Sequence, residues 1–218
     1  MVLGVYCAGG FGGVVLEMAK DINHKIYKWD YICFITDTMD GVIDTKNDVL
    51  FYDEFKAKYS PENSEIIIAS GEPKGRNNLY ERVKQDGYKL PNLIDPLANV
   101  KQLKCIGEGN IIQDYVHLSP SNVKIGNNNV FMTFSRIAHD CIIGDNCVFA
   151  SSTNCSGRVI VEDRVYIGTG AKIREKIKLS HDSIIGMGAV VTKSVNDYSV
   201  VVGSPAKEIR KNTGVVFK

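Results

Sequence analysis

From Ile125 onward every sixth residue is apolar: Ile125, Phe131, Ile137, Ile143, Phe149, Cys155, Val161, Ile167, Ile173, Leu179, Ile185 and Val191. Apolar residues make up 44% of the chain, so an unbroken run of twelve is no accident of composition. Four residues after each anchor stands a second set, running from Asn129, Ser135 and Cys141 to Ala189 and Val195. All of it except Asn129 is small or β-branched. Ile106, Ile112 and Leu118 keep the same step, with one extra residue before Ile125.

A period of six excludes an α-helix, whose faces repeat at about 3.6 residues. It fits a parallel β-helix, in which each six-residue unit is one short strand plus a corner. One large and one small inward side chain fill a narrow prism. Three units close a coil, so residue i lies over residue i+18 at about the 4.8 Å spacing of neighbouring strands. Residues 106–196 then make about five coils.

Residues 1–96 follow another grammar. Val2–Cys7, Tyr31–Ile35 and Glu65–Ala69 are short apolar runs that suit buried strands. The glycines Gly9, Gly10, Gly12 and Gly13 lead into Val14–Lys20, which suits a helix, as does Asn77–Gln85. Strand, glycine turn, helix and strand predict a small α/β unit with a parallel sheet, about half of a doubly wound, Rossmann-like domain. The expected organisation is an α/β nucleotide-binding unit at 1–96 and a β-helix with a C-terminal extension at 97–218.

The 26 basic and 25 acidic residues nearly cancel, which leaves no electrostatic footprint for nucleic acid. No apolar run approaches the ~20 residues that span a bilayer, so no membrane span is expected. No basic stretch precedes the apolar N-terminus, so no signal peptide is read. The six cysteines form no CxxC pair and read as reduced thiols of a cytoplasmic protein.

The hexad run, the triplet His139-Asp140-Cys141 and the closing stretch Val202-Gly203-Ser204-Pro205-Ala206-Lys207 resemble the hexapeptide-repeat acyltransferases. With the glycine-rich N-terminal unit, the whole chain resembles bacterial sugar O- and N-acetyltransferases of the sialic-acid and bacillosamine-pathway type. That resemblance implies a left-handed β-helix, acetyl-CoA as co-substrate, no metal, a nucleotide-sugar or sugar acceptor, and a homotrimer with sites shared between subunits.

His139 is the third residue of its hexad and points outward by phase. One coil on, the equivalent position is Gly157, so the histidine sits beside a missing side chain. A neutral imidazole there is placed to take a proton from an attacking amine or hydroxyl. Asp140, or a carboxylate from a neighbouring subunit, would fix its tautomer. The alternative is a solvent-exposed corner histidine with no role. His181 shares the phase of His139 but lies seven hexads on, which puts it on another face. Cys141 and Cys147 fall on the small inward positions and read as core.

By resemblance, Gly168, Thr169, Gly186, Met187 and Gly188 line the pantetheine groove, and Lys207, with Arg210 and Lys211, faces the coenzyme phosphates. The loop Gly9, Gly10, Phe11 and Gly12 is implied to hold the diphosphate or uridine side of the acceptor. Asp37 is its acidic partner, and Gly71 follows the third strand. Cys7 stands where a dinucleotide fingerprint has its first glycine. Alternatives remain open at this level. A sialic acid O-acetyltransferase fits the pattern, since Met132 occupies a position that is asparagine in 4-amino-sugar N-acetyltransferases. A non-catalytic β-helix binding protein fits it too. A metal hydrase fits poorly, because Gly144 stands where a second histidine is required.

Overall fold

A computed structural model describes residues 1–42, 46–100 and 105–214. The expected β-helix segment runs to residue 218, and its last four residues lie outside the described part, as do residues 101–104.

The N-terminal unit runs β1 (Val2–Tyr6), α1 (Gly10–Ile26), β2 (Tyr31–Thr36), β3 (Val49–Phe51), α2 (Tyr52–Lys58), β4 (Ser64–Ile68) and α3 (Pro73–Gln85). The sheet is parallel throughout, in the order β3-β2-β1-β4. Strands β1, β2 and β4 and both longer helices were expected. Strand β3 and helix α2 were not, because their three and seven residues are too short to display a period. Helix α1 leaves the end of β1 through a tight turn in which Cys7 takes a positive φ of 85°. A Cβ on Gly12 would lie 1.9 Å from the Cys7 carbonyl oxygen, so only glycine lets the helix come this close.

The repeat folds as a left-handed parallel β-helix with three faces. The first face carries β5 (Leu93–Ile94) and then Ile111–Ile112, Val130–Phe131, Val148–Phe149, Tyr166–Ile167 and Ile184–Ile185. It closes with the hairpin Ser199–Gly203 and Ala206–Lys211. The second face stacks His117–Leu118, Arg136–Ile137, Asn154–Cys155, Lys172–Ile173 and Val190–Val191. The third stacks Cys105–Ile106, Lys124–Ile125, Ile142–Ile143, Ile160–Val161 and Lys178–Leu179. Phe131 pairs with Phe149, Phe149 with Ile167 and Ile167 with Ile185, each a step of 18. Ile112 pairs with Phe131, a step of 19 that absorbs the extra residue before Ile125.

All the sixth-residue anchors from Ile125 to Val191 are buried, and Phe131 stacks on Phe149 with ring centroids 4.7 Å apart. Cys141, Cys147 and Cys155 are buried among them. Burial pushes the Cys147 thiol up to about 12, which suits packing and not nucleophilic chemistry. The corner residues, among them Asn122, Asp140, Arg158 and Lys176 between the second and third faces, take positive φ.

The N-terminal unit lies on the first face. Leu93, Ile111, Val130 and Val148 are wholly buried there, clustered with Val15, Leu16, Met18, Ala19 and Ile22 of α1. Each such side chain contributes roughly 1.5–3 kcal/mol. The pairing of β5 with Ile111–Ile112 starts the first face at Leu93, slightly before the change of grammar at Pro96.

A buried polar contact fixes the same interface. Arg76 of α3 is fully buried; its Nε donates to the Asn128 carbonyl at 2.9 Å and its Nη2 to the Asn128 side chain at 2.7 Å. Its Nη1 donates to the carbonyls of Ile68 and Ser70 at 2.7 and 2.8 Å. Burial pulls the guanidinium down to about 9, so it stays charged at neutral pH. Asn128 continues the contact, donating to Asn146 at 2.7 Å, and Asn146 donates to Asn77 of α3 at 3.0 Å.

Candidate active site

His139 sits at the corner between the second and third faces, immediately after Arg136–Ile137. Its side chain is 51% exposed. A Cβ built on Gly157 would lie 2.6 Å from both Cε1 and Nε2 of the ring. The imidazole therefore lies across the space that any other residue at 157 would fill. Its Nδ1 is 2.8 Å from an Asp140 carboxylate oxygen. A carboxylate only accepts, so the single proton of a neutral imidazole sits on Nδ1 and leaves the lone pair on Nε2.

Asp140 is held in turn. Hydrogen bonds from His139 and from Asn122, at 3.1 Å, together with the nearby Arg158, keep its carboxyl below the usual carboxylate range. Asn122 and Arg158 occupy the same corner position as Asp140 one coil before and one coil after, each 18 residues away. The helical stacking thus sets the imidazole and the carboxylate that orients it in adjacent columns of one corner.

The expected coenzyme residues stack at the preceding corner, between the first and second faces. A Cβ on Gly168 would lie 2.7 Å from the Met187 amide nitrogen, and one on Gly186 would lie 2.6 Å from Val202 Cγ1. The coils approach too closely here for a side chain. The amides of Gly168, Gly186 and Gly188 donate to Ile185, Val201 and Thr169 within the coil ladder. The amides of Thr169 and Met187 take no part in it, and both residues are exposed. Lys207 is exposed on the closing hairpin opposite Val202 and forms no ion pair among the described residues, while Lys211 pairs with Glu208 at 2.9 Å. In one chain this column and His139 lie at opposite edges of the second face. A single subunit does not bring them together.

In the N-terminal unit a cavity of about 270 Å³ opens at the C-terminal ends of β1 and β2. Gly9 and Asp37 line it, with Tyr6, Thr38, Asp40 and Gly41. Gly10, Phe11, Gly12 and Gly71 do not: Gly10 and Gly12 shape the start of α1, Phe11 packs against the α1 core, and Gly71 follows β4. The Asp37 carboxylate accepts from the Tyr6 hydroxyl at 2.9 Å and from Arg82 at 2.7 Å. Burial and Asp37 both push the Tyr6 hydroxyl up, so it remains a donor. Arg82 stacks over Tyr52 at 4.2 Å. Sequence reasoning missed Tyr6, Arg82 and Arg76, because strand order alone brings them to Asp37 and Asn128. His181 lies at the third corner, bonded to Asp182 at 2.9 Å. Among the described residues no cluster of three or more His, Cys, Asp or Glu is arranged to hold a metal ion, and no helix is long and apolar enough to cross a membrane.

Comparison with known proteins agrees with both halves. Residues 122–157 match the bacterial transferase hexapeptide family (six repeats), and residues 3–83 match the PglD N-terminal domain. The chain is 33% identical over 217 residues, 96% of either chain, to the GDP-perosamine N-acetyltransferase of Escherichia coli O157:H7. Among solved structures, WeeI from Acinetobacter baumannii superposes with a TM-score of 0.88 at 34% identity, covering 96% of this chain and all of that one. The acetyltransferase domain of PglB from Neisseria gonorrhoeae, in complex with acetyl coenzyme A, superposes with a TM-score of 0.86 at 28% identity, over 95% and 98% of the two chains.

Proposed function

The chain belongs to the hexapeptide-repeat family of sugar N-acetyltransferases, and on that premise we propose that it moves an acetyl group from acetyl-CoA to the amine of a nucleotide-linked sugar. The observation that carries the mechanism is the His139 ring lying over Gly157 with Nδ1 held by Asp140. The acceptor amine attacks the thioester carbonyl directly. His139 Nε2 takes the amine proton as the C–N bond forms. The tetrahedral intermediate then collapses, the C–S bond breaks, and the coenzyme thiolate leaves and is protonated by the imidazolium. Asp140 stays ionised and stabilises the imidazolium in between.

The cavity at Gly9 and Asp37 is assigned to the nucleoside end of the acceptor, and the Gly168–Gly186–Gly188 column with Lys207 to the coenzyme. These two surfaces and His139 form one site in a cytoplasmic homotrimer. A threefold ring with its axis along the β-helix sets the His139 edge of one subunit against the glycine edge of the next. The deciding experiment is mass spectrometry of products from acetyl-CoA with a panel of nucleotide amino sugars, GDP-perosamine included, and with sialic acid. A mass gain of one acetyl on an amino sugar is expected. O-acetylated sialic acid as the sole product would overturn the acceptor assignment.

A further inference from the structure

The corner between the first and second faces changes character along its length. Its positive-φ positions are, in order, Tyr115, Phe134, Ser152, Gly170 and Gly188. They form one column, since Ser152, Gly170 and Gly188 donate to the residues preceding Phe134, Ser152 and Gly170 respectively. The first two are large aromatics and the last three are nearly or wholly without side chain. Tyr115 and Phe134 are 52% and 61% exposed, and their rings stack at 5.2 Å, only 8° from parallel. The backbone beneath them is pinned: the Thr133 amide donates to the Gln113 side chain at 3.0 Å, and its hydroxyl to Asp114 at 2.6 Å.

The change occurs at the level of the catalytic corner. Phe134 and His139 belong to the same coil, at the two edges of the second face. In the ring described above, equal heights meet across the interface, so His139 faces the Phe134 of the partner subunit. From there toward the C-terminal coils the partner's edge leaves a slot at its serine and glycine positions, flanked by the exposed Thr169 and Met187. In the other direction it is closed by two stacked rings. The coenzyme assignment sets the phosphates near Lys207 and the thioester at His139, so the acyl chain points away from the slot and toward the rings.

We propose that Phe134, backed by Tyr115, is the end-stop that limits the acyl donor to acetyl. The proposal rests on the acetyl-transfer reading and on the shared site. A two-carbon acyl group ends at the stack, whereas a longer chain collides with a ring that has another ring behind it and cannot retreat. Apolar pockets separate ligands differing by one methylene by roughly 10–200-fold.

The test is calorimetric binding of acetyl-, butyryl- and hexanoyl-CoA, with free CoA as reference, to the wild-type protein and to Phe134→Ala, Phe134→Leu and Tyr115→Ala. Light scattering checks assembly of each. Wild type should bind acetyl-CoA at least about tenfold more tightly than butyryl-CoA. Phe134→Ala should bring the two within about threefold while leaving free CoA unchanged, with Phe134→Leu and Tyr115→Ala in between. If Phe134→Ala fails to assemble, the two milder variants decide by the same ratio. Equal wild-type affinity for acetyl- and hexanoyl-CoA overturns the proposal, as does an unchanged ratio in an assembled variant; both leave acetyl transfer standing. Failure of the wild type to bind acetyl-CoA at all would instead remove the enzymatic reading, and the end-stop with it.

Discussion

The two halves of the molecule are held together by different kinds of order. In the β-helix the contacts along the axis from Ile125 to Val191 join residues 18 apart, and those of the coil before it 19 apart, so a side chain's surroundings follow from counting. Ile137 meets Cys155 and His139 meets Gly157 for the same reason. In the α/β unit β1 lies between β2 and β4, with β3 outside β2. Tyr6, Asp37 and Arg82 meet across separations of 31 and 45 residues that no period announces. The difference teaches where a function can be read from a sequence: the repeat half displays its chemistry, and the α/β half displays only its glycine turn.

Substitutions probe that division. The largest effect is expected at the base itself. His139→Ala should lower kcat by roughly 10²–10⁴ and leave acetyl-CoA affinity nearly unchanged. Steady-state kinetics beside a binding isotherm measures both, and a variant within tenfold of wild type would remove His139 from the mechanism.

Next comes the joint between the halves. Arg76→Met strips the carbonyls of Ile68, Ser70 and Asn128 of their buried donor and should destabilise the protein by about 1–3 kcal/mol. Urea unfolding should show the loss. A change below about 1 kcal/mol would mean that the apolar contact of α1 alone fixes the two halves.

Gly157→Ala tests the counting argument directly. The added methyl displaces the imidazole, and misplacement by about an ångström costs on the order of 10²-fold in rate. Thermal stability should barely move, since the three atoms nearest the methyl all belong to the half-exposed His139 ring, which can swing outward. Undiminished activity would show that the ring is not held where the stacking puts it.

The smallest effect concerns pH. Asp140 is held below the usual carboxylate range, so it stays charged as the solution is acidified. The rate profile should therefore show no ionisation of Asp140 in the usual carboxylate range. Asp140→Asn should lower kcat, because the asparagine amide no longer favours the Nδ1–H tautomer. An acid limb in that range that disappears in Asp140→Asn would contradict the assignment.

Much of this was legible beforehand, and the reasons are physical. The hexad gave the coil, the faces and the notch beside Gly157, because a fixed period converts sequence spacing into neighbourhood. The same period told His181 apart from His139. The glycine turn located the start of α1, where close approach to the Cys7 carbonyl demands glycine at 12. It also pointed to Gly10, Phe11, Gly12 and Gly71, which do not line the cavity beside Gly9, and a glycine needed for packing and one needed for a ligand look alike in a sequence. Arg76 was invisible for a related reason: nothing in a helix of polar residues marks the one whose partners lie 52 residues away. The aromatic-to-glycine column became visible only once the corners were aligned in space.

Arg76 also ties the making of the protein to its architecture. Its guanidinium is matched on one side by Ile68 and Ser70, which leave the ribosome before it, and on the other by Asn128, which leaves 52 residues later. The surface of α1 likewise waits for Ile111, Val130 and Val148. A nascent chain stopped short of Asn128 therefore carries a sheet whose anchoring cation is still in water and whose apolar floor is missing. The N-terminal half, although first to emerge, is completed by the second, and amide protection in β4 and α3 should appear only in nascent chains long enough to include that asparagine.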